Sequence, residues 1–311
     1  MKKPVVYIDG KEGTTGLQIY DRLSSRNDIE LLLIDEDKRK DPLARSEMLN
    51  AADAVFLCLP DDAAREAVAM LQNPDTVVLD TSTAHRTESG WCYGFPELSA
   101  EREAALKTAK RIAVPGCHAS GFIALVYPLI EAGLLSADAK LTCHSVTGYS
   151  GGGKKMIAEY QDDGKSVLLD APRQYGLTQQ HKHLKEMKAI TGLENQPVFC
   201  PIVSDFYSGM MVTVPLFTSD LLRGGIEDIK AVYREKYNTE IVKYVESMGD
   251  GAFISAHEKM NKDSMDITVC GNDDRVILVA VYDNLGKGAS GAAVECLNYV
   301  LGVDPKTGLE I

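Results

Sequence analysis

In the first quarter of the chain, short apolar runs alternate with longer stretches whose apolar residues recur every three or four positions. The runs are VVYI (5–8), IELLLI (29–34), AVFLCL (54–59) and TVVLD (76–80). Segments near 14–26, 43–51 and 62–72 lie between them with helical spacing, and in the first of these Gly16, Leu17, Tyr20 and Leu23 share one face. Strand, helix and strand in repetition predict a parallel sheet wound with helices, a Rossmann-type α/β domain.

Beyond Cys117 the runs lengthen and alternate. They are KLTCHSVTGYS (140–150), PVFCPIVS (197–204), GMMVTVPLF (209–217), DITVCG (266–271) and RVILVAVYD (275–283). Such strands predict a mixed, largely antiparallel sheet in a second, α+β domain. The alanine-rich stretch GASGAAVECLNYVLG (288–302) reads as a helix that packs back on the first domain.

Composition narrows the function. A chain of 311 residues suits two domains, and 45 acidic against 33 basic residues give a net charge of −12, which disfavours nucleic acid as a partner. No apolar run is long enough to span a bilayer, and MKKPVVYIDG reads as neither signal peptide nor anchor. The seven cysteines are odd in number and scattered without CxxC spacing, which fits reduced thiols in a cytoplasm. The histidine pair HKH has no cysteine or carboxylate run beside it to complete a zinc set, so no metal is expected.

Three places carry candidate chemistry. VVYIDGKEGTTGLQI sets Gly10, Gly13 and Gly16 between the first strand and first helix, where a dinucleotide turn needs a tight bend and open helix-start N–H groups. The spacing G-x-x-G-x-x-G is not the standard one, and position rather than motif makes the reading. After the second strand, Asp35 argues for NAD, whereas Lys38, Arg39 and Lys40 argue for the 2′-phosphate of NADP or are a solvated loop.

The second place is PGCHASGF, where Cys117 stands at the start of a helix whose dipole favours a thiolate, although most single cysteines are buried and inert. The third comprises the glycine turn TGYSGGGKK (147–155), with Ser150, and QHKHLKE. There His181 and His183 precede Glu186, either on a surface helix or as an imidazole that a carboxylate orients. A thiol, an imidazole and a dinucleotide turn together point to covalent acyl chemistry coupled to hydride transfer.

With these pieces in place, the sequence resembles the shorter form of N-acetyl-gamma-glutamyl-phosphate reductase, a family related to aspartate-semialdehyde dehydrogenase. The resemblance runs through IDGKEGTTGLQI, KRKDP, LCLPDDAAREAV, DTSTAHR, YGFPEL, PGCHASGF, TGYSGGGKKMIAEY, LTQQHKHLKEM, FYSGMMVTVPL and DNLGKGASGAAV. It implies NADPH-dependent reduction of N-acetyl-L-glutamyl 5-phosphate to the 5-semialdehyde with release of phosphate, a step of arginine biosynthesis. Cys117 is then the nucleophile. His183 is the preferred acid/base, because Glu186 can orient it, with His181 as substitute or binding residue. NADP contacts are expected at Gly10, Gly13, Thr14, Thr15, Gly16, Lys38, Arg39, Ser82, Ser150, Gly151, Gly152 and Asn284. The NADP-binding domain is expected over 1–116 and 285–311 and the catalytic and oligomerisation domain over 117–284, in a cytoplasmic homo-oligomer, dimer or tetramer.

The chain departs from the wider family's pattern at Val114 and His118, where an asparagine before Pro-Gly-Cys and a tyrosine after it are common. Two other readings stay open: a relative acting on an unacetylated acyl phosphate, and a catalytically silent NADP-binding regulatory protein.

Overall fold

A computed structural model describes residues 2–311 as two compact units, one running up to Gly116 and resuming at Ala289–Leu309, the other Cys117–Gly288 with Glu310–Ile311. The first unit contains β1 (Val5–Asp9), α1 (Thr14–Ser24), β2 (Glu30–Leu32), α2 (Pro42–Ala51), β3 (Ala54–Leu57), α3 (Asp61–Ala69) and β4 (Val77–Asp80). It continues with β5 (Cys92–Tyr93), α4 (Ala100–Thr108) and β6 (Arg111–Ala113). The strands lie in the order β2-β1-β3-β4-β6-β5, and all the pairs are parallel. Strands β3 and β4 are buried at every position, as continuous apolar runs between two helical layers must be. The edge strand β2 is shorter than its apolar run. Expectation missed β5, β6 and α4, because strands of two or three residues give no period to read.

The second unit contains α5 (Cys117–Glu131), β7 (Thr142–Gly148), α6 (Gly153–Gln161), β8 (Arg173–Gln174), α7 (His183–Thr191), β9 (Val198–Ser204) and β10 (Met210–Phe217). It ends with α8 (Ile226–Lys236), β11 (Val242–Tyr244), β12 (Met265–Gly271) and β13 (Arg275–Tyr282). Its sheet runs β11-β12-β13-β10-β7-β9-β8. Pairs β7–β9 and β11–β12 are parallel and the rest antiparallel, so the sheet is mixed and largely antiparallel as expected. Helix α5 is buried along most of its length and packs on β10, β13, α7 and α8, which fixes its first turn.

The chain's last helix, α9 (Gly291–Leu301), follows a wide turn over Gly286–Ser290. Its Ala292, Ala293, Val294 and Leu297 join the apolar cluster of Val6, Ile19 and Phe56, so it does pack back on the parallel sheet's unit. Small side chains let this helix approach closely, and fully burying each aliphatic side chain contributes about 1.5–3 kcal/mol.

Candidate active site

In the first unit, β1 delivers the chain into the glycine turn. Gly10 has φ +87°, and a Cβ there would stand 2.3 Å from the Cys58 carbonyl oxygen; one on Gly16 would stand 2.4 Å from the Gly10 oxygen. Only glycine fits either position. Gly13 is the N-cap of α1 and brings no side chain to the first-turn N–H groups of Thr14, Thr15 and Gly16, which an anion can therefore approach.

Beside this turn is a cavity of about 750 Å³ whose lining includes Gly10, Lys11, Arg39, Lys40 and Arg45. Lys38 instead pairs with Asp35 at 2.9 Å on the surface, and its ammonium pKa is raised by that hydrogen bond. Sequence reasoning missed Arg45, which donates to Asp9 Oδ2 at 2.7 and 3.2 Å. The signal lies in KRKDP: Asp41 caps α2 by accepting from the Leu43 and Ala44 amides, and this places Arg45 one turn in.

Ser82 lies in a buried nest around Asp80. Its hydroxyl donates to Asp80 Oδ2 at 2.8 Å and accepts from the Ala84 amide at 3.1 Å, while His85 Nδ1 meets the same carboxylate oxygen at 2.6 Å. Arg86 donates to the Thr81 and Val114 carbonyls and so ties the ends of β4 and β6 together.

In the second unit, Cys117 is the first residue of α5 and half-buried. The next residue, His118, is buried with both ring nitrogens engaged: Nδ1 lies 2.6 Å from Ser145 Oγ and Nε2 2.6 Å from the Tyr175 hydroxyl. Burial first, and then the neighbouring His181, lowers the His118 pKa to about 3. His118 is therefore a neutral ring that donates from one nitrogen and accepts at the other. The Tyr175 phenol is pushed up, mainly by burial and further by neighbouring Cys117, so it keeps its proton. Neither Ser145 nor Tyr175 was legible, since one sits mid-strand and the other just outside a two-residue strand.

The histidines of HKH join this cluster. The His181 and His183 rings lie 4.7 Å apart by centroid, and 5.8 and 5.6 Å from His118. His183 and Glu186 lie on the buried side of α7, which excludes a fully solvated helix. His181 is less buried, and its Nδ1 accepts the backbone N–H of His183 at 3.3 Å. That bond leaves the neutral ring's proton on Nε2. Burial, and then Lys182, lowers the His181 pKa.

The second glycine turn is tied to the segment after β13. Asn284 Nδ2 donates to Ser150 Oγ at 3.0 Å, and its Oδ1 accepts from the Gly209 amide at 2.9 Å. A Cβ on Gly148 would stand 2.5 Å from the Tyr207 oxygen, and Gly153 has φ +72°, so this turn too depends on glycine. Ser150 and Asn284 are thus brought together, with Gly151 and Gly152 exposed beside them.

Comparison with known proteins follows the same division. Residues 6–106 match the family model described as semialdehyde dehydrogenase, NAD binding domain, and residues 117–284 the one described as semialdehyde dehydrogenase, dimerisation domain. N-acetyl-gamma-glutamyl-phosphate reductase 2 of Nostoc sp. is 44% identical over 99% of this chain and 100% of its own length. The N-acetyl-gamma-glutamyl-phosphate reductase of Chelativorans sp. is 46% identical over 95% and 97%. Among solved structures, aspartate semialdehyde dehydrogenase II complexed with ASA from Vibrio cholerae matches with a TM-score of 0.74 at 15% identity, covering 97% of this chain and 99% of that one. Aspartate semialdehyde dehydrogenase with NADP from Candida albicans matches with a TM-score of 0.66 at 14% identity, covering 97% and 99%. At these identities the structural likeness shows the fold alone.

Proposed function

This chain belongs to the N-acetyl-gamma-glutamyl-phosphate reductase family, and we propose that it reduces N-acetyl-L-glutamyl 5-phosphate to the 5-semialdehyde through a thioester on Cys117. The observation that carries this reading is a thiol at the first residue of α5 with neutral hydrogen-bonding groups gathered about its turn. Relatives at 44–46% identity favour the acetylglutamyl substrate over the aspartyl one, whose enzymes resemble this chain in fold at 15%.

In the forward direction the Cys117 thiolate attacks the acyl carbon; an S–C bond forms, the C–O bond to phosphate breaks, and phosphate leaves with its electron pair. NADPH, when bound, supplies a hydride to the thioester carbon. We assign the proton work to His181, ahead of His183, because His181 is less buried and its Nε2 carries the proton. The Nε2–H of His181 hydrogen-bonds to the substrate oxygen as it becomes an oxyanion, and that oxyanion collapses as the C–S bond breaks and releases aldehyde and thiolate. Tyr175, held by His118, is suited to donate to the developing oxyanion together with the first-turn amides of α5.

The turn of Gly10, Gly13 and Gly16 fits a pyrophosphate, since Gly10 and Gly16 have no room for a Cβ. Arg39 and Lys40, on the adjoining cavity, fit a 2′-phosphate, while Arg45 on the same wall is held by Asp9. Ser150, Gly151, Gly152 and Asn284 remain candidates for contacts to the nicotinamide end.

A homodimer in the cytoplasm completes the reading. Pro215 and Phe217 of β10, Ile277 of β13 and Val198 of β9 point away from the helix-covered face, and Phe217 and Val198 are 58% and 56% exposed. A second copy of this chain covers that face; Ile277→Asp should shift the molar mass measured by light scattering toward monomer.

The decisive assay supplies N-acetyl-glutamate semialdehyde, phosphate and NADP and follows reduced nicotinamide. Cys117→Ser should lose at least about 10⁴-fold in turnover. Unchanged phosphate-dependent turnover would sink the assignment of the nucleophile, and no turnover by the wild type with either nicotinamide would favour a binding protein.

A further inference from the structure

The first turn of α5 is bridged by a side chain from β13. The Tyr282 hydroxyl donates to the Cys117 carbonyl at 2.5 Å and accepts from the Gly121 amide at 3.0 Å. These two groups, at i and i+4, belong to the first turn of α5, which begins at Cys117. The Tyr282 hydroxyl bonds to both of them and so braces that turn from the neighbouring strand.

The surroundings are cut to admit it. Tyr282 is fully buried. A Cβ on Gly121 would stand 2.7 Å from the Tyr282 oxygen and 2.7 Å from Val212 Cγ2, so α5 has no side chain where the phenol must enter.

The segment that follows Tyr282 holds the other side of the same residue. A Cβ on Gly288 would stand 3.1 Å from Cys117 Cβ. Asp283 fixes this segment: its carboxylate accepts from the Leu285, Gly286 and Asn261 amides and from Ser208 Oγ, and its carbonyl accepts from the Gly288 amide. One short stretch of chain therefore bonds to the Cys117 carbonyl and, at Gly288, leaves no room for a side chain beside its Cβ.

We propose that Tyr282 is a positioning residue for the nucleophile, its hydroxyl setting the first turn of α5 so that the Cys117 thiol is held at the attack angle. This rests on the reading of Cys117 as nucleophile. Burial keeps the phenol protonated, so the bridge persists across the working pH range. Tyr282→Phe keeps the ring and removes only the bridge, so the Cys117 carbonyl and the Gly121 amide lose their shared partner and the turn that carries the thiol is no longer braced from β13.

The test measures turnover, KM, NADP affinity and the pH profile of Cys117 alkylation by iodoacetamide, with the modified residue mapped by mass spectrometry. Tyr282→Phe should lower kcat about 10–100-fold while KM and NADP affinity stay within about twofold, and it should slow alkylation of Cys117 at neutral pH. A Tyr282→Phe enzyme with the wild-type kcat and alkylation profile overturns the proposal. If that variant unfolds, Gly121→Ala, which keeps the phenol but pushes it out of the turn, must show the same loss of kcat, and wild-type turnover there overturns it equally. Cys117→Ser run alongside separates the two readings: if it stays active, the nucleophile reading fails, and if it is dead while Tyr282→Phe is wild-type, only the role of Tyr282 fails.

Discussion

Helices α1 and α5 both follow a strand and a glycine-led turn, yet the groups gathered at their starts differ in kind. At α1 the N-cap is Gly13, and charged side chains line the cavity alongside: Lys11, Arg39, Lys40 and Arg45, with the carboxylates of Asp9, Glu12 and Glu36. At α5 the groups bonded about the first turn include His118, Ser145, Tyr175 and Tyr282, and these four are neutral. A helix N-terminus favours any anion, and the company it keeps decides which one. A diphosphate that binds and leaves needs cations and open backbone. At α5 the substrate's carbonyl oxygen gains charge as the thiolate attacks, and neutral donors there can stabilise that oxyanion.

The contrast predicts that damage at the two turns separates into binding and turnover. The largest effect is expected at Gly10, where alanine would push a Cβ to 2.3 Å from the Cys58 oxygen at φ +87°. Gly10→Ala should weaken NADP binding more than about 100-fold by calorimetry and lower the melting temperature. At the other turn, Tyr175→Phe should lower kcat about 10–100-fold and leave the NADP dissociation constant unchanged. If Tyr175→Phe weakens NADP as Gly10→Ala does, the division between the two turns is wrong.

Smaller effects test the cation side of the comparison. Arg39→Ala should weaken NADP about tenfold and leave NAD untouched, because the removed group serves only the 2′-phosphate. Lys38→Ala should do much less, since Arg39 and Lys40 line the cavity whereas Lys38 turns to Asp35 at the surface. Equal losses for NADP and NAD in Arg39→Ala would place the arginine on the shared pyrophosphate instead.

Much of this was legible in the sequence, for reasons that explain the remainder. The βαβ rhythm, the mixed second sheet and the return of α9 follow from periodicity, which local patterns report. The glycines at 10 and 16 were legible because chain geometry leaves glycine no substitute there. Tyr175, Ser145 and Tyr282 were not, because each acts on α5 from a strand or loop far away in sequence and carries no local signature. The resemblance placed Lys38 with Arg39 on the cofactor, and the fold shows Lys38 beside Asp35 at the surface while Arg39, Lys40 and an Asp9-paired Arg45 line the cavity.

The finest test concerns the neutrality of the α5 turn. His118 has its pKa lowered to about 3 when folded, against an ordinary value of 6.5, so the unfolded chain binds the extra proton between those values. Stability from this site is therefore complete above pH 6.5 and is lost as pH falls toward 3. Glutamine at this position keeps one donor and one acceptor but does not titrate. Between neutral pH and pH 4 the wild type should lose about 5 °C more in melting temperature than His118→Gln, as followed by circular dichroism. Parallel losses in the two proteins would mean that His118 is not the neutral ring its burial implies, and the electrostatic contrast between the two helix starts would go with it.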